Sequence, residues 1–270
     1  MTSSVPVSVI IPCFRCAGTI ERAITSVAAQ TKSPAELILV DDASGDNTRS
    51  VLITFLERYS PGWVKLVLLD QNVGAASARN AGWAAASQPF IAFLDADDAW
   101  HARKIEIQYA YMQDHPDVVL SGHGYRLLKQ GERPNWEVRN GPASSIGKWH
   151  MIMSNRFVTP SVMLRRDVAH RFVERQRYME DHMLWLRIVC GGARVVKLSE
   201  DLAAIYKDLF GVTGLSSRVW LMERSDLGNY HRLYKDRSIN AAQFVPLVVY
   251  SMLKYLRRLL IYISYLRWKK

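Results

Sequence analysis

The chain has 270 residues, 49% hydrophobic and 22% charged, which excludes a disordered polymer and suits one large domain, or one domain with an appendage. Three cysteines make no disulfide framework and fit a reducing, cytoplasmic setting. The net charge of +10 would suit a nucleic-acid binder, but residues 241–270 hold six basic and no acidic side chains, leaving +4 for the rest; the basicity belongs to the tail, and no nucleic-acid partner is expected.

In chain order, "VPVSVIIP" is β-branched and runs straight into the fold, so it reads as a first strand and not as a signal peptide. Ile20, Ala23, Ile24, Val27 and Ala28 recur at helical spacing, with Thr19 placed as N-cap. "ELILVDD" is a second strand, and Val51, Leu52, Phe55, Leu56 and Tyr59 mark a second helix capped by Asp46. "VKLVLLD", the alanine-rich stretch 75–86 and "PFIAFLD" follow as strand, helix and strand. This alternation predicts a mostly parallel, Rossmann-like sheet flanked by helices. In such sheets ligands bind beyond the carboxyl ends of the strands. Four of those ends are polar here: "PCFRC", Asp41–Asp42, Asp70–Gln71–Asn72 and the aspartates after Leu94.

Beyond Trp100 a helix bearing Ile105, Tyr109 and Met112 leads to a strand at 118–121. Residues 129–150 carry glycines and prolines without periodicity and read as a long loop. "RFVTPSVMLRRDV" reads as a strand and turn, "EDHMLWLRIV" as a helix with acids in its first turn, and "ARVVKLSEDLAAIYK" as strands. The tail from Phe244 combines aliphatic residues and four tyrosines with the six basic residues. No apolar run in it reaches spanning length. An amphipathic helix on an anionic membrane surface is expected, the alternative being a helix packed on the body or on a second copy.

"FLDADD" gathers Asp95, Asp97 and Asp98 where a buried strand ends. Carboxylates so close repel and are costly to desolvate unless a cation lies among them. An EF-hand loop counted from Asp95 fails, because Trp100 stands where glycine is required. Two or three carboxylates with few other ligands suit Mg²⁺ or Mn²⁺ shared with substrate phosphates. Cys13 and Cys16 form C-x-x-C, but neither a thioredoxin context nor a second ligand pair accompanies them.

"VSVIIPCF", "SVAAQT", "ELILVDDASGDNT", "NVGAASARNAGW" and "FLDADD" follow one another as they do in the inverting glycosyltransferases of family 2. The chain resembles that family over residues 5–110, and more loosely to about 220. The resemblance implies a GT-A fold over 1–220, with a nucleotide-binding half (1–110), an acceptor half (111–220) and a helical C-terminal region (221–270). It implies a UDP- or dTDP-sugar donor, a Mn²⁺ or Mg²⁺ cofactor, a glycan or lipid-linked acceptor, and a place in surface polysaccharide or glycolipid assembly. Pro12 and Phe14 would line the base pocket and Asp42 would contact uracil and ribose, while Asp41 is equally a turn or cap residue. Arg79 would lie near the nucleotide, its alternative being an exposed helix arginine. Asp97 would touch ribose or phosphate; Asp98 would be the main metal ligand, supported by Asp95.

Inversion needs a base for the acceptor hydroxyl. The family's Glu-Asp motif falls on Glu180–Asp181, which makes Asp181 that base; by pattern alone, both acids could simply answer a helix dipole. His182 follows directly and could tune it. "IYKDLFGVTGLSSR" matches the segment after the base, with Lys207 and Ser216 or Ser217 as phosphate contacts, where the family more often has histidine or arginine. The rival readings are a nucleotidyltransferase, which usually carries a glycine-rich loop absent from "PCFRCAG", and a non-catalytic nucleotide-sugar-binding protein.

Overall fold

Strand-forming runs and helical periodicity alternate through the first hundred residues of the computed structural model as β1 (Val5–Cys13), α1 (Ile20–Ala28), β2 (Pro34–Asp41), α2 (Thr48–Arg58), β3 (Val64–Leu68), α3 (Ala75–Ala85) and β4 (Phe90–Phe93). Next come β5 (Ala99–Trp100), α4 (Lys104–Asp114), β6 (Val118–Leu128), β7 (Ser144–Ser145), α5 (Lys148–Met153), β8 (Met163–Arg165), α6 (Glu180–Cys190), β9 (Arg194–Tyr206), α7 (Val219–Lys235) and α8 (Ala241–Trp268). The structure describes residues 4–136, 141–206 and 219–268, with side chains omitted at 219 and 261–268.

Among the described residues one sheet runs in the order β3-β2-β1-β4-β8-β6-β9-β5, with β7 paired to β9. β1 is parallel to β2 and β4, and β2 is parallel to β3. The expected parallel sheet therefore holds through β4. Beyond it the sheet is mixed, because β8 inserts antiparallel to both β4 and β6 while β6 and β9 run parallel. Both predicted halves share this single sheet.

Alternation along β1 sends side chains to opposite faces. Val7, Val9 and Ile11 join the core under α1, α2 and α4, whereas Ile10 joins Ile38 and Val40 in the core under α3, α6 and α7. Three layers result, with the strand ends left open at the rim. Gly82 sets the spacing of α3: a Cβ there would lie 2.5 Å from Ile10 Cγ2, so a bare backbone lets this helix settle on the sheet and aim its first turn at the rim.

Local details differ from the sequence expectations in instructive ways. Thr19 makes no side-chain cap of α1; its hydroxyl donates back to the Cys16 carbonyl at 3.3 Å. Asp46 does act at the start of α2, accepting from the Thr48 amide at 3.0 Å. The stretch read as loop, 129–150, contains β7 and the start of α5. These pieces are too short for periodicity to show, and β7 exists through its pairing with β9.

The tail is a helix that packs. α8 lies against α7: Leu247 is buried, Ser251 donates to the buried Glu223 at 2.6 Å, and Lys254 Nζ sits 3.7 Å from Asp226. Lys254 is thereby turned inward, which corrects its place among the basic residues expected to face a membrane. On the opposite side Val245, Val249, Leu253, Leu256 and Leu260 stay exposed at helical spacing, with Arg257 exposed beside them, whereas Arg258 falls on the side of Lys254 and Asp226. No described helix is long and apolar enough to cross a membrane.

Candidate active site

A cleft of about 670 Å³ opens at the carboxyl ends of the strands, a size that suits a small organic ligand. Pro12 and Phe14 enter it from the end of β1, Asp42 from β2, Arg79 from α3, Asp95, Asp97 and Asp98 from the turn after β4, and Glu180 and Asp181 from α6. The structure thus brings together all of the expected site residues except Lys207, which, with Ser216 and Ser217, falls outside the described residues.

The adjacent acids at the end of β2, Asp41 within it and Asp42 just beyond, divide their work as strand alternation requires. Asp41 Oδ1 accepts from the Ser44 amide at 3.2 Å and from the Ser44 hydroxyl at 2.5 Å, a turn role. Asp42 points into the rim, where Oδ1 accepts from the Val73 amide (2.8 Å) and Oδ2 from the Gly74 amide (2.8 Å) and Asn72 Nδ2 (2.9 Å). Its buried carboxylate holds the loop that feeds α3. Gly74, with φ of 86°, supplies the left-handed turn that presents those amides.

Arg79 is the hub of the cleft floor. It is not the exposed helix arginine of the alternative reading: it is buried, with Nη2 2.7 Å from Asp95 Oδ1 and Nη1 3.0 Å from Glu180 Oε1. Burial opposes its charge, yet the two carboxylates raise its pKa further. Burial pushes Glu180 up from the ordinary carboxylate range; Arg79 pulls against that shift and the neighbouring Asp181 adds to it. Asp95 is therefore committed to an ion pair with protein.

Asp98 is buried and accepts the Tyr206 amide through Oδ1 at 3.0 Å, and the Asp97 carbonyl accepts from Arg22. No group of three or more His, Cys, Asp or Glu among the described residues is arranged to hold an ion. Among the described residues no all-protein metal cage is present at this site. Asp97 and Asp98 on one wall of the cleft do fit Mg²⁺ or Mn²⁺, which takes one or two carboxylates and completes its shell with substrate phosphates and water.

Across the cleft, Met179 adopts the left-handed conformation (φ 54°) immediately before α6. A non-glycine residue held there carries backbone strain that the surroundings must sustain. The bend sets Asp181 at the mouth of the cleft, where Oδ2 accepts from Asn155 Nδ2 at 3.1 Å and Oδ1 from the His182 amide at 2.6 Å. The side chain of His182 turns away from the cleft. Its Nδ1 lies 3.1 Å from Asp226 and its Nε2 2.8 Å from the Met151 carbonyl, so it braces α6 against α5 and α7. Asn155, Asp226 and the Glu180–Arg79 pair had no sequence signal: each acts across 26 or more positions.

Comparison with known proteins agrees with this geometry. The model of "Glycosyl transferase family 2" matches residues 8–171. The UDP-Glc:α-D-GlcNAc-diphosphoundecaprenol β-1,3-glucosyltransferase WfgD of Escherichia coli is 34% identical over 68% of this chain and 69% of its own. The putative teichuronic acid biosynthesis glycosyltransferase TuaG of Bacillus subtilis is 32% identical over 73% of this chain and 77% of its own. Among solved structures, S. aureus TarS with UDP-GlcNAc superposes with a TM-score of 0.67 at 18% identity, covering 90% of this chain and 70% of that one. The mannosyltransferase PcManGT of Pyrobaculum calidifontis, solved with GDP-Man and Mn²⁺, gives 0.67 at 17% identity, over 94% and 70%. The fold is that of the GT-A glycosyltransferases. This chain belongs to glycosyltransferase family 2 and is a glycosyltransferase.

Proposed function

We propose that the enzyme moves a hexosyl group, with inversion, from a UDP-sugar to a hydroxyl of a lipid-linked, diphosphopolyprenol-type acceptor. The observation that carries this reading is the convergence of Asp97, Asp98 and Asp181 on one cleft. Pro12, Phe14 and Asp42 form the end for the nucleoside, and Asp97 and Asp98 would hold a Mn²⁺ or Mg²⁺ ion against the diphosphate. When bound, the metal offsets the charge of the departing diphosphate. Asp181, fixed by Asn155 and the His182 amide, takes the proton of the acceptor hydroxyl as that oxygen attacks the anomeric carbon. Arg79 binds no ligand directly in this arrangement; it locks Asp95 and Glu180 so that the donor and base walls keep their separation. A thermal-unfolding titration tests the reading. UDP should raise the melting temperature in Mn²⁺ and leave it unchanged in excess chelator; equal stabilisation under both conditions would remove the metal from the site.

The acceptor class draws support from the activity for which WfgD is named and from α8. The exposed stripe of Val245, Val249, Leu253, Leu256 and Leu260, flanked by Arg257, suits a helix lying at an anionic membrane surface, on the cytoplasmic side where nucleotide sugars are made. Because α8 also covers Glu223 and Asp226, deleting it would expose buried acids, so truncation is the wrong probe. Replacing Leu253, Leu256 and Leu260 by serine should preserve the fold and UDP binding yet abolish sedimentation with phosphatidylglycerol vesicles. Wild-type binding should weaken as salt rises. A wild-type chain that ignores such vesicles at low salt would reassign the stripe to protein contact.

A further inference from the structure

We propose that Cys13 and Cys16 are an oxidative modification site, closing reversibly into a disulfide that distorts the nucleoside end of the cleft. The C-x-x-C unit is not used by the transfer chemistry, yet the cleft is lined by both cysteines. Cys13 ends β1 and is fully buried, its thiol donating to the Ile11 carbonyl at 3.5 Å, and Cys16, three positions on in the same core cluster, is 7% exposed. Both backbones are pinned. The Cys16 amide donates to Thr48 Oγ1 at 2.9 Å and its carbonyl accepts the Thr19 and Ile20 amides at 2.9 Å, while the Cys13 carbonyl accepts the Asp42 amide at 2.8 Å. The intervening turn holds Arg15 at a φ of 50°. Two cysteines three positions apart across a tight turn, both lining the same cleft, are placed so that a change of side-chain rotamers and a small backbone shift can close the bond.

Their environments also differ in the sense such a pair requires. The neighbouring Cys13, helped by Thr48 and opposed by burial, lowers Cys16, whereas the neighbouring Cys16 and burial raise Cys13. Cys16 is thus the nucleophile and Cys13 the resolving thiol. With a hydroperoxide as oxidant, the Cys16 thiolate attacks one peroxide oxygen. The O–O bond breaks, and the leaving oxygen takes a proton and departs as water or alcohol. Cys13 Sγ then attacks the sulfenyl sulfur; the S–S bond forms, the S–O bond breaks, and hydroxide leaves with the Cys13 proton as water. Two thiols are oxidised by two electrons and one peroxide is reduced; an added dithiol reverses the step by exchange.

The disulfide would pull on Phe14 and Arg15. Phe14 is 46% exposed in the cleft, and Arg15 donates through its amide and Nε to Ser44 at 3.2 and 3.3 Å, tying the turn to the end of β2. That is where the proposed function seats the nucleoside, and the effect on binding rests on that reading. The test uses the full chain carrying Cys190→Ser, which leaves only this pair. Peroxide should remove the mass of two hydrogen atoms from the intact protein, dithiothreitol should restore it, and Cys16→Ser should abolish the change. Calorimetric titration with UDP should show binding at least about tenfold weaker after oxidation and recovered on reduction. Two alkylatable thiols remaining after peroxide would overturn the disulfide. A disulfide that leaves UDP affinity unchanged would overturn its control of the cleft. A reduced chain that binds no UDP would refute the proposed function and this control together, while the mass change still decides the disulfide on its own.

Discussion

Asp181→Asn is expected to bind the nucleotide sugar as the wild type does and to lose transfer by about a hundredfold or more, the usual consequence of deleting a general base. Asparagine is isosteric, so its Oδ1 can still accept from the His182 amide, which now lies 2.6 Å from the carboxylate. What it lacks is a basic oxygen facing the cleft, so kcat should fall while KM for the donor stays near its original value. The competing account treats Asp181 as a first-turn acid that stabilises α6. It predicts a stability loss of about 0.3–1 kcal/mol and no rate effect. Steady-state kinetics beside a melting curve separate the two, and near-normal turnover would place the base elsewhere.

Arg79→Met should have the largest effect on stability. It removes the one cation that the described structure places between Asp95 and Glu180 and leaves both carboxylates facing a cleft floor without it. Breaking a buried ion pair by taking away one partner costs about 3–5 kcal/mol. The pH dependence carries a definite sign. Burial and Asp181 already push Glu180 up, and Arg79 opposes them. Without Arg79 the folded-state pKa of Glu180 rises further above its unfolded value of 4.5. A carboxyl raised in the folded state takes up a proton on folding, so stability is highest below the unfolded value and is lost as pH rises through the folded one. The melting-temperature deficit of Arg79→Met should therefore be smaller at pH 5 than at pH 8. A variant that melts like wild type at both values would show that the bridge holds nothing.

The division between what the residues announce and what they conceal follows the range of the interactions. β1 to β4 and their helices are legible because local periodicity encodes each one, and the acids after β2 and β4 stand out because strands end in them. β8 carries three residues and takes its place through pairing with β4 and β6. Its antiparallel insertion, which makes the sheet mixed, leaves no local trace. At the site, Arg79 was visible within "NVGAASARNAGW", but its partner Glu180 lies 101 positions on. That distance hid its work as a wall-to-wall clamp. Asn155 sits where no pattern is readable, and only the fold brings it to Asp181. The tail shows the same limit. Its composition announced an amphipathic helix, yet the inward turn of Lys254 toward Asp226 needed the neighbouring helix to be seen.

The His182–Asp226–Lys254 chain links α6, α7 and α8 behind the base. The helix that carries the exposed apolar stripe is therefore mechanically joined to the helix that carries Asp181. Under the proposed function, the surface that meets the membrane and the residue that activates a lipid-linked acceptor are parts of one packed unit.

The most direct test of the central claim is the stereochemistry of transfer. The wild-type chain, incubated with Mn²⁺, a UDP-α-hexose panel and a short-chain GlcNAc-diphosphopolyprenol, should release UDP and yield a product whose new linkage is β by the anomeric proton coupling in NMR. A single displacement with Asp181 as base requires that inversion. A product that keeps the α configuration, or equal product formed by Asp181→Asn, would contradict the account.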